Sequence, residues 1–145
     1  AQHKDILRRT ARPLVMTPHA GEFARLSGKK QMQQEELRAF AQENRCTVLY
    51  KAHRTLIAAP DGRLFRNHTG NPGMAKGGSG DTLAGMLVSL IGQGLAPEDA
   101  ACAAAWLHGA AGDSAANWYG EYGMTPTDLL ACLPGVTRRY NTREW

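Results

Sequence analysis

The sequence is short of several things at once. Aromatic residues make up only 7% of it, and there are three cysteines, Cys46, Cys102 and Cys132. They lie far apart, with no Cys-x-x-Cys pair and no histidine at ligand spacing. That excludes a disulfide framework and a structural metal, and points to a reducing compartment. The longest apolar run, 83–91, is too short for a bilayer and is broken by glycine and serine. The opening residues Ala1-Gln2-His3-Lys4 do not read as a secretion signal. The expectation is a cytoplasmic protein with no membrane partner. Charge is also modest: 17 Lys+Arg against 13 Asp+Glu give +4, much of it at 4–12 and 138–143. A mild excess favours anionic ligands, but without a basic stripe interleaved with aromatics it excludes nucleic acid as a partner. At 145 residues, 43% hydrophobic and 21% charged, the chain should form one domain over 1–145 with a proper core.

What is abundant is glycine. There are sixteen, and eight of them fall between Gly70 and Gly94. Around that stretch the pattern alternates between strand and helix. Leu14-Val15-Met16 reads as a buried strand stopped by Thr17-Pro18, followed by a short helix over about 21–26. Leu37, Phe40 and Ala41 make a core-facing stripe on a helix over 33–44. The β-branched and aromatic run 46–50 is a strand, and 55–59 and 64–65 form a hairpin about the turn Pro60-Asp61-Gly62-Arg63. Leu83, Met86, Leu87, Leu90 and Ile91 define a helix that Gly92 and Gly94 end. Pro97 opens a further helix to about 118, its alanines allowing close approach. A last short helix should start near 127 and close at Pro134-Gly135. His68, His108 and the three tryptophans follow no pattern and read as packing residues, and Arg138-Arg139 as a solvated tail. The order predicts an α/β fold with one mixed sheet flanked by helices.

Chemistry concentrates in Thr69-Gly70-Asn71-Pro72-Gly73-Met74-Ala75-Lys76-Gly77-Gly78-Ser79-Gly80-Asp81, which runs straight into the Leu83 helix. Glycines at 77, 78 and 80 let the backbone turn sharply and approach a ligand. The free N–H groups at the helix start, with the helix dipole, form an anion hole at Gly78, Ser79 and Gly80 suited to phosphate. Asp81 at its mouth can be a plain cap or a base held against a phosphate acceptor. Four glycines exceed what capping requires, so the base reading is favoured. The stretch lacks the Gly-x-x-x-x-Gly-Lys-Ser/Thr of a Walker A loop and the βαβ unit of a dinucleotide fold.

The arrangement resembles the ribokinase-like superfamily, whose catalytic aspartate follows a Gly-x-Gly at a helix start. Asn71-Pro72-Gly73-Met74-Ala75 before Gly77-Gly78-Ser79-Gly80-Asp81 is similar to the signature of the NAD(P)H-hydrate dehydratases, the YjeF C-terminal domain family. Thr17-Pro18-His19-Ala20-Gly21-Glu22 resembles that family's Thr-Pro-His-x-Gly-Glu. The likeness covers about 13–133. It implies dehydration of the S-form of hydrated NADH and NADPH, a lyase reaction of metabolite repair with Mg2+ and with ADP or ATP as phosphoryl donor, and a homo-oligomer, a tetramer. The Thr-Pro-His form resembles bacterial members associated with ADP. Carried over, His19 and Asp81 contact the hydrated nucleotide, Asp81 is the catalytic carboxylate, and Gly80 touches the adenine nucleotide. Lys51-Ala52-His53-Arg54-Thr55 aligns with a nucleotide-binding Lys-Gly-x-x-Thr, with Ala52 in place of glycine. Thr82 stands where the family commonly has valine, a change inside the helix start. The family domain is about twice this length, so the chain looks like its C-terminal half. Two rival readings are a ribokinase-like kinase for a vitamin precursor, which should lack 71–75, and a nucleotide-binding module without turnover.

Overall fold

The structure, a computed structural model, describes residues 13–29 and 32–139; the basic stretches at 4–12 and 140–143 lie outside them. Four strands form one mixed sheet in the order β1 (Leu14–Met16), β2 (Cys46–Tyr50), β3 (Leu56–Ala58), β4 (Leu64–Arg66). β1 and β2 are parallel, joined through α1 (Ala20–Ser27) and α2 (Gln34–Asn44). β2, β3 and β4 then run antiparallel, in register Leu49↔Ile57↔Phe65. The β3–β4 turn is the one read from Pro60 to Arg63. Gly62 takes φ 91 there, and Arg63 bonds back to the Asp61 carboxylate at 2.6 Å.

Side chains alternate faces along each strand, and the sheet therefore separates two cores. Leu14, Met16, Val48, Tyr50, Leu56, Ala58 and Leu64 meet α1 and α2 on one face. Phe23 anchors that side, nearly fully buried, edge-on to Phe40 at 5.3 Å and to Tyr50 at 5.6 Å. Truncating such an aromatic to alanine costs about 3–5 kcal/mol. Val15, Leu49, Ile57 and Phe65 face α3 (Ser79–Gly92), α4 (Pro97–Gly123) and α5 (Pro126–Arg138) on the other side. β2 is buried on both faces, hence its unbroken apolar reading.

Small residues on α4 bring the glycine-rich segment in close. A Cβ at Gly109 would collide with Thr69, and one at Gly112 with the Met74 side chain. A Cβ at Gly73 would lie 2.5 Å from the Glu121 carbonyl oxygen. Asp113 on α4 accepts from the Gly70 N–H at 2.9 Å and the Asn71 amide at 3.0 Å, and Asn71 caps the 3-10 turn Pro72–Met74. The loop is thus fastened to a helix before it reaches α3.

Two boundaries differ from the sequence reading. α5 does not close at Pro134-Gly135 but continues to Arg138. Proline removes one helical donor, and the carbonyl it strands is that of Leu130, which faces solvent. Leu129 and Val136 on either side of the proline are buried and hold the helix in place. Arg138 therefore ends a helix rather than starting a tail, though it and Arg139 are exposed. α4 passes 118 to reach Gly123, bending at Gly120 (φ 70, ψ 157), a conformation open to glycine.

Candidate functional site

A cavity of about 570 Å3 opens beyond the C-terminal ends of the two parallel strands. In α/β sheets this is where ligands bind. Thr17, Glu22, Arg25, Lys51, Gly80 and Asp81 are among its walls, so both sequence motifs contribute to one space. β1 and β2 end level with each other: the Lys51 N–H donates to the Pro18 carbonyl at 2.9 Å, and His19 and Lys51 form a parallel bridge.

One wall is the start of α1. His19 is its N-cap, with Nδ1 accepting from the N–H groups of Gly21 at 3.1 Å and Glu22 at 3.3 Å. Glu22 returns the bond, its carboxylate accepting from the His19 N–H at 2.8 Å, a capping box with histidine in place of serine. Since Nδ1 accepts, the ring proton of neutral His19 sits on Nε2, which lies 3.4 Å from Glu22 Oε1. The His19 N–H, with the nearby charges of Lys51 and Arg25, holds the Glu22 carboxyl below its ordinary range. Lys51 Nζ stands 3.8 Å from Glu22 Oε2.

The opposite wall is the start of α3. Its N-cap is Gly78, left-handed at φ 89, and no side chain caps it. Asp81 is the third helical residue, exposed, and its carboxylate bonds to nothing among the described residues. The cap reading of Asp81 therefore has no hydrogen bond behind it. The N–H groups of Gly80 and Asp81 fall in the first turn, where no intrahelical acceptor exists, and none is supplied by another described residue. A Cβ built at Gly80 would lie 3.4 Å from Lys51 Nζ, so the ammonium reaches over the helix start.

Other candidates are placed differently. The Ser79 N–H is directed to the Lys76 carbonyl at 3.3 Å, and its buried hydroxyl meets His108 Nε2 at 3.3 Å. His108, patternless in sequence, is buried against the helix start, and burial holds its ring below the usual histidine value. Ala52, His53 and Arg54 form an exposed turn beyond the cavity lining, and Thr55 bonds back to the Ala52 carbonyl at 3.5 Å. His19 and Gly78 flank the cavity without lining it. Thr82 turns its hydroxyl to the Gly78 carbonyl at 3.1 Å, inside the helix. Arg25 was missed, although it follows Glu22 by three residues on the same helical face, a spacing the sequence does display.

Among the described residues no three His, Cys, Asp or Glu side chains converge as a metal cage. Asp81 and Glu22 nevertheless put two carboxylates on the walls of the cavity. Mg2+ is commonly held by one or two carboxylates together with substrate phosphates, and this donor set fits it. No helix among the described residues is long and apolar enough to cross a membrane.

A mixed sheet between two helical layers, with a glycine-led helix aimed at the strand ends, defines an α/β protein of the ribokinase-like class. A ribokinase-like superfamily protein from Enterococcus faecalis superimposes with TM-score 0.82 at 33% identity, over 97% of this chain and 50% of that one. The chain belongs to the NAD(P)H-hydrate dehydratase family, whose model matches residues 1–135. It is 52% identical to the bifunctional NAD(P)H-hydrate repair enzyme Nnr of Moorella thermoacetica, over 87% of this chain and 25% of that protein. It is 45% identical to the ADP-dependent (S)-NAD(P)H-hydrate dehydratase of Neisseria meningitidis, over 74% of this chain and 38% of the relative. The Bacillus subtilis ADP/ATP-dependent NAD(P)H-hydrate dehydratase, co-crystallized with ATP/Mg2+, matches with TM-score 0.84 at 32% identity, covering 92% of this chain and 52% of that one. The chain thus spans from a quarter to about half the length of these relatives.

Proposed function

We propose that this chain carries the phosphoryl-transfer site of a nucleotide-dependent (S)-NAD(P)H-hydrate dehydratase, and that 1–145 is the C-terminal portion of that domain. The observation that supports this most is the unpartnered Asp81 carboxylate, which shares a cavity with Lys51 and the free N–H groups of α3. In this reading the hydroxyl of the hydrated nicotinamide ring gives its proton to Asp81 while its oxygen attacks the terminal phosphorus of ADP or ATP. The bond to the leaving nucleotide breaks. The phosphate ester then departs as inorganic phosphate, a proton leaves the neighbouring ring carbon, and the ring double bond returns. The N–H groups of Gly80 and Asp81 face the charge that develops on the phosphoryl oxygens, and Lys51 adds a cation beside them. Bound Mg2+ would neutralise phosphate charge, with Glu22 the carboxylate within the cavity that could help to hold it while Asp81 takes the proton.

The portion reading has its own support. Among the described residues β1 is an edge strand whose three residues are only half-buried. Val88 and Ile91 on α3 and Leu95 just after it are exposed at 69%, 37% and 36%. An open parallel edge is what further strands would cover, and exposed apolar side chains on a helix are what a further element would cover. Within the same proposal fall a cytoplasmic setting, in keeping with the free thiols of Cys46, Cys102 and Cys132, and assembly as a homo-oligomer.

The test is recovery of NADH absorbance from NADH hydrate with ADP, with ATP and with neither, for the chain alone and with the first half of a relative's domain supplied. The expected result is donor-dependent recovery, weak alone and raised by the first half. Full turnover by the 145 residues alone would overturn the portion reading. Phosphoryl transfer to another small hydroxyl compound, without recovery, would make the protein a kinase.

A further inference from the structure

One cation close to the site is left unexplained by this chemistry. Lys76 stands at the threshold of the glycine loop, one residue before Gly77, yet it does not line the cavity. Its ammonium donates to three main-chain carbonyls at the end of α4: Glu121 at 3.2 Å, Tyr122 at 2.8 Å and Met124 at 2.5 Å. The last carbonyls of a helix have no intrahelical donor and carry the negative end of its dipole. Here the chain bends at Gly120, and one ammonium with three protons matches three converging acceptors. The Lys76 carbonyl, in turn, accepts from the Ser79 N–H at 3.3 Å. A single residue therefore bonds α4 with its side chain and the first helical residue of α3 with its backbone.

We propose that Lys76 is a positioning residue: its ammonium ties the glycine loop to the end of α4 and so sets where the free N–H groups of Gly80 and Asp81 point. The loop itself is ill-suited to hold a direction. Gly77, Gly78 and Gly80 carry no side chains that could pack, and Gly78 sits in the left-handed region. The fastening by Asp113 secures only the Gly70–Asn71 end of the segment. Lys76 secures the other end, three residues before Ser79 opens the helix. Removing it leaves three carbonyls without a donor and a run of glycines free to reorient. The phosphate site would then have to be ordered at each binding event, at the expense of affinity. The proposal rests on the reading that α3 receives the phosphate of ADP.

The test replaces Lys76 in the 145-residue chain by Lys76→Ala and by Lys76→Met, the second keeping the apolar stem. Two quantities are read: amide hydrogen exchange over 77–82, followed at Ser79 and Thr82, whose N–H groups are the bonded ones there, and ADP affinity by calorimetry, each in ammonium chloride and in choline chloride. Exchange over 77–82 should speed up at least tenfold in both variants, ADP affinity should fall about tenfold, and ammonium should restore part of both while leaving the parent unchanged. A second control, Thr125→Ala, removes the α5 cap without touching Lys76 and should leave exchange over 77–82 unchanged. Unchanged exchange in the Lys76 variants, or a loss that ammonium does not move and Thr125→Ala reproduces, overturns the proposal. If the parent chain binds no ADP, the phosphate reading fails, and exchange over 77–82 alone decides whether Lys76 fixes the loop.

Discussion

Two helix starts face each other across the cavity, and they differ in what their residues have left to offer. At the start of α1 the polar groups are turned inward: His19 Nδ1 takes the N–H groups of Gly21 and Glu22, and Glu22 takes the N–H of His19. At the start of α3 nothing closes the helix. The cap is a glycine, and the Asp81 carboxylate and the N–H groups of Gly80 and Asp81 have no partner among the described residues. Both segments stood out in the sequence by residue type. Only the accounting of donors and acceptors separates the one that builds its own corner from the one that is free to meet a ligand.

The sharpest way to break this contrast is Asp81→Asn. The amide keeps the shape but cannot accept a proton. Turnover of NADH hydrate should fall by roughly two to four orders of magnitude in the form that turns over. Thermal stability should hardly move, because the carboxylate bonds to nothing among the described residues. Near-parental turnover would remove Asp81 from the chemistry. Next in size is Gly80→Val. Gly80 needs no positive φ, so the fold should tolerate valine, but the added carbons meet Lys51 and screen the N–H groups. Affinity for ADP should drop tenfold or more by calorimetry, and an unchanged affinity would put the phosphate elsewhere.

Smaller effects probe the α1 side. His19→Ala should lower stability by about 1 kcal/mol through the lost cap, and His19→Asn should restore most of it. If the ring also touches the hydrated nucleotide, His19→Asn recovers stability while the KM for NADH hydrate stays raised. Full recovery of both would leave His19 a cap alone. The smallest expected effect is on acid stability. Burial holds the native His108 ring below its ordinary value of 6.5, so in the folded state it stays neutral where the unfolded chain already takes up a proton. Stability is therefore lost as pH falls below 6.5 and levels off below the lowered native value. Thermal melts across that window should show a shallower decline for His108→Gln than for the parent; identical slopes would rule out His108 as the source.

Much of this was legible from spacing. Strands 14–16 and 46–50, the Pro60–Arg63 turn, the α2 stripe and the helix beginning near the glycine loop follow from period and turn chemistry, which are local. The carboxylate at the mouth of α3 was legible too, because glycines at 77, 78 and 80 announce close backbone approach. What escaped depends on distant partners. His108 meets Ser79 across 29 positions, and Lys76 reaches carbonyls 45 to 48 residues away, contacts that no window of sequence displays. The continuation of α5 through Pro134 was hidden for a related reason: burial of Leu129 and Val136 outweighs one lost helical bond. Histidine as a cap runs against the preference for Ser, Thr, Asp and Asn, so the cap at His19 was not legible, and its place as a contact to the hydrated nucleotide came from the resemblance alone.

The contrast between the two helix starts is tested most directly by locating ADP in a crystal of this chain, or of the form completed by the first half. The terminal phosphate should lie within hydrogen-bond distance of the Gly80 and Asp81 N–H groups, with Lys51 beside it and the Asp81 carboxylate next to the phosphorus. Phosphate density on the 52–55 turn or against α1, with the start of α3 left to water, would contradict it.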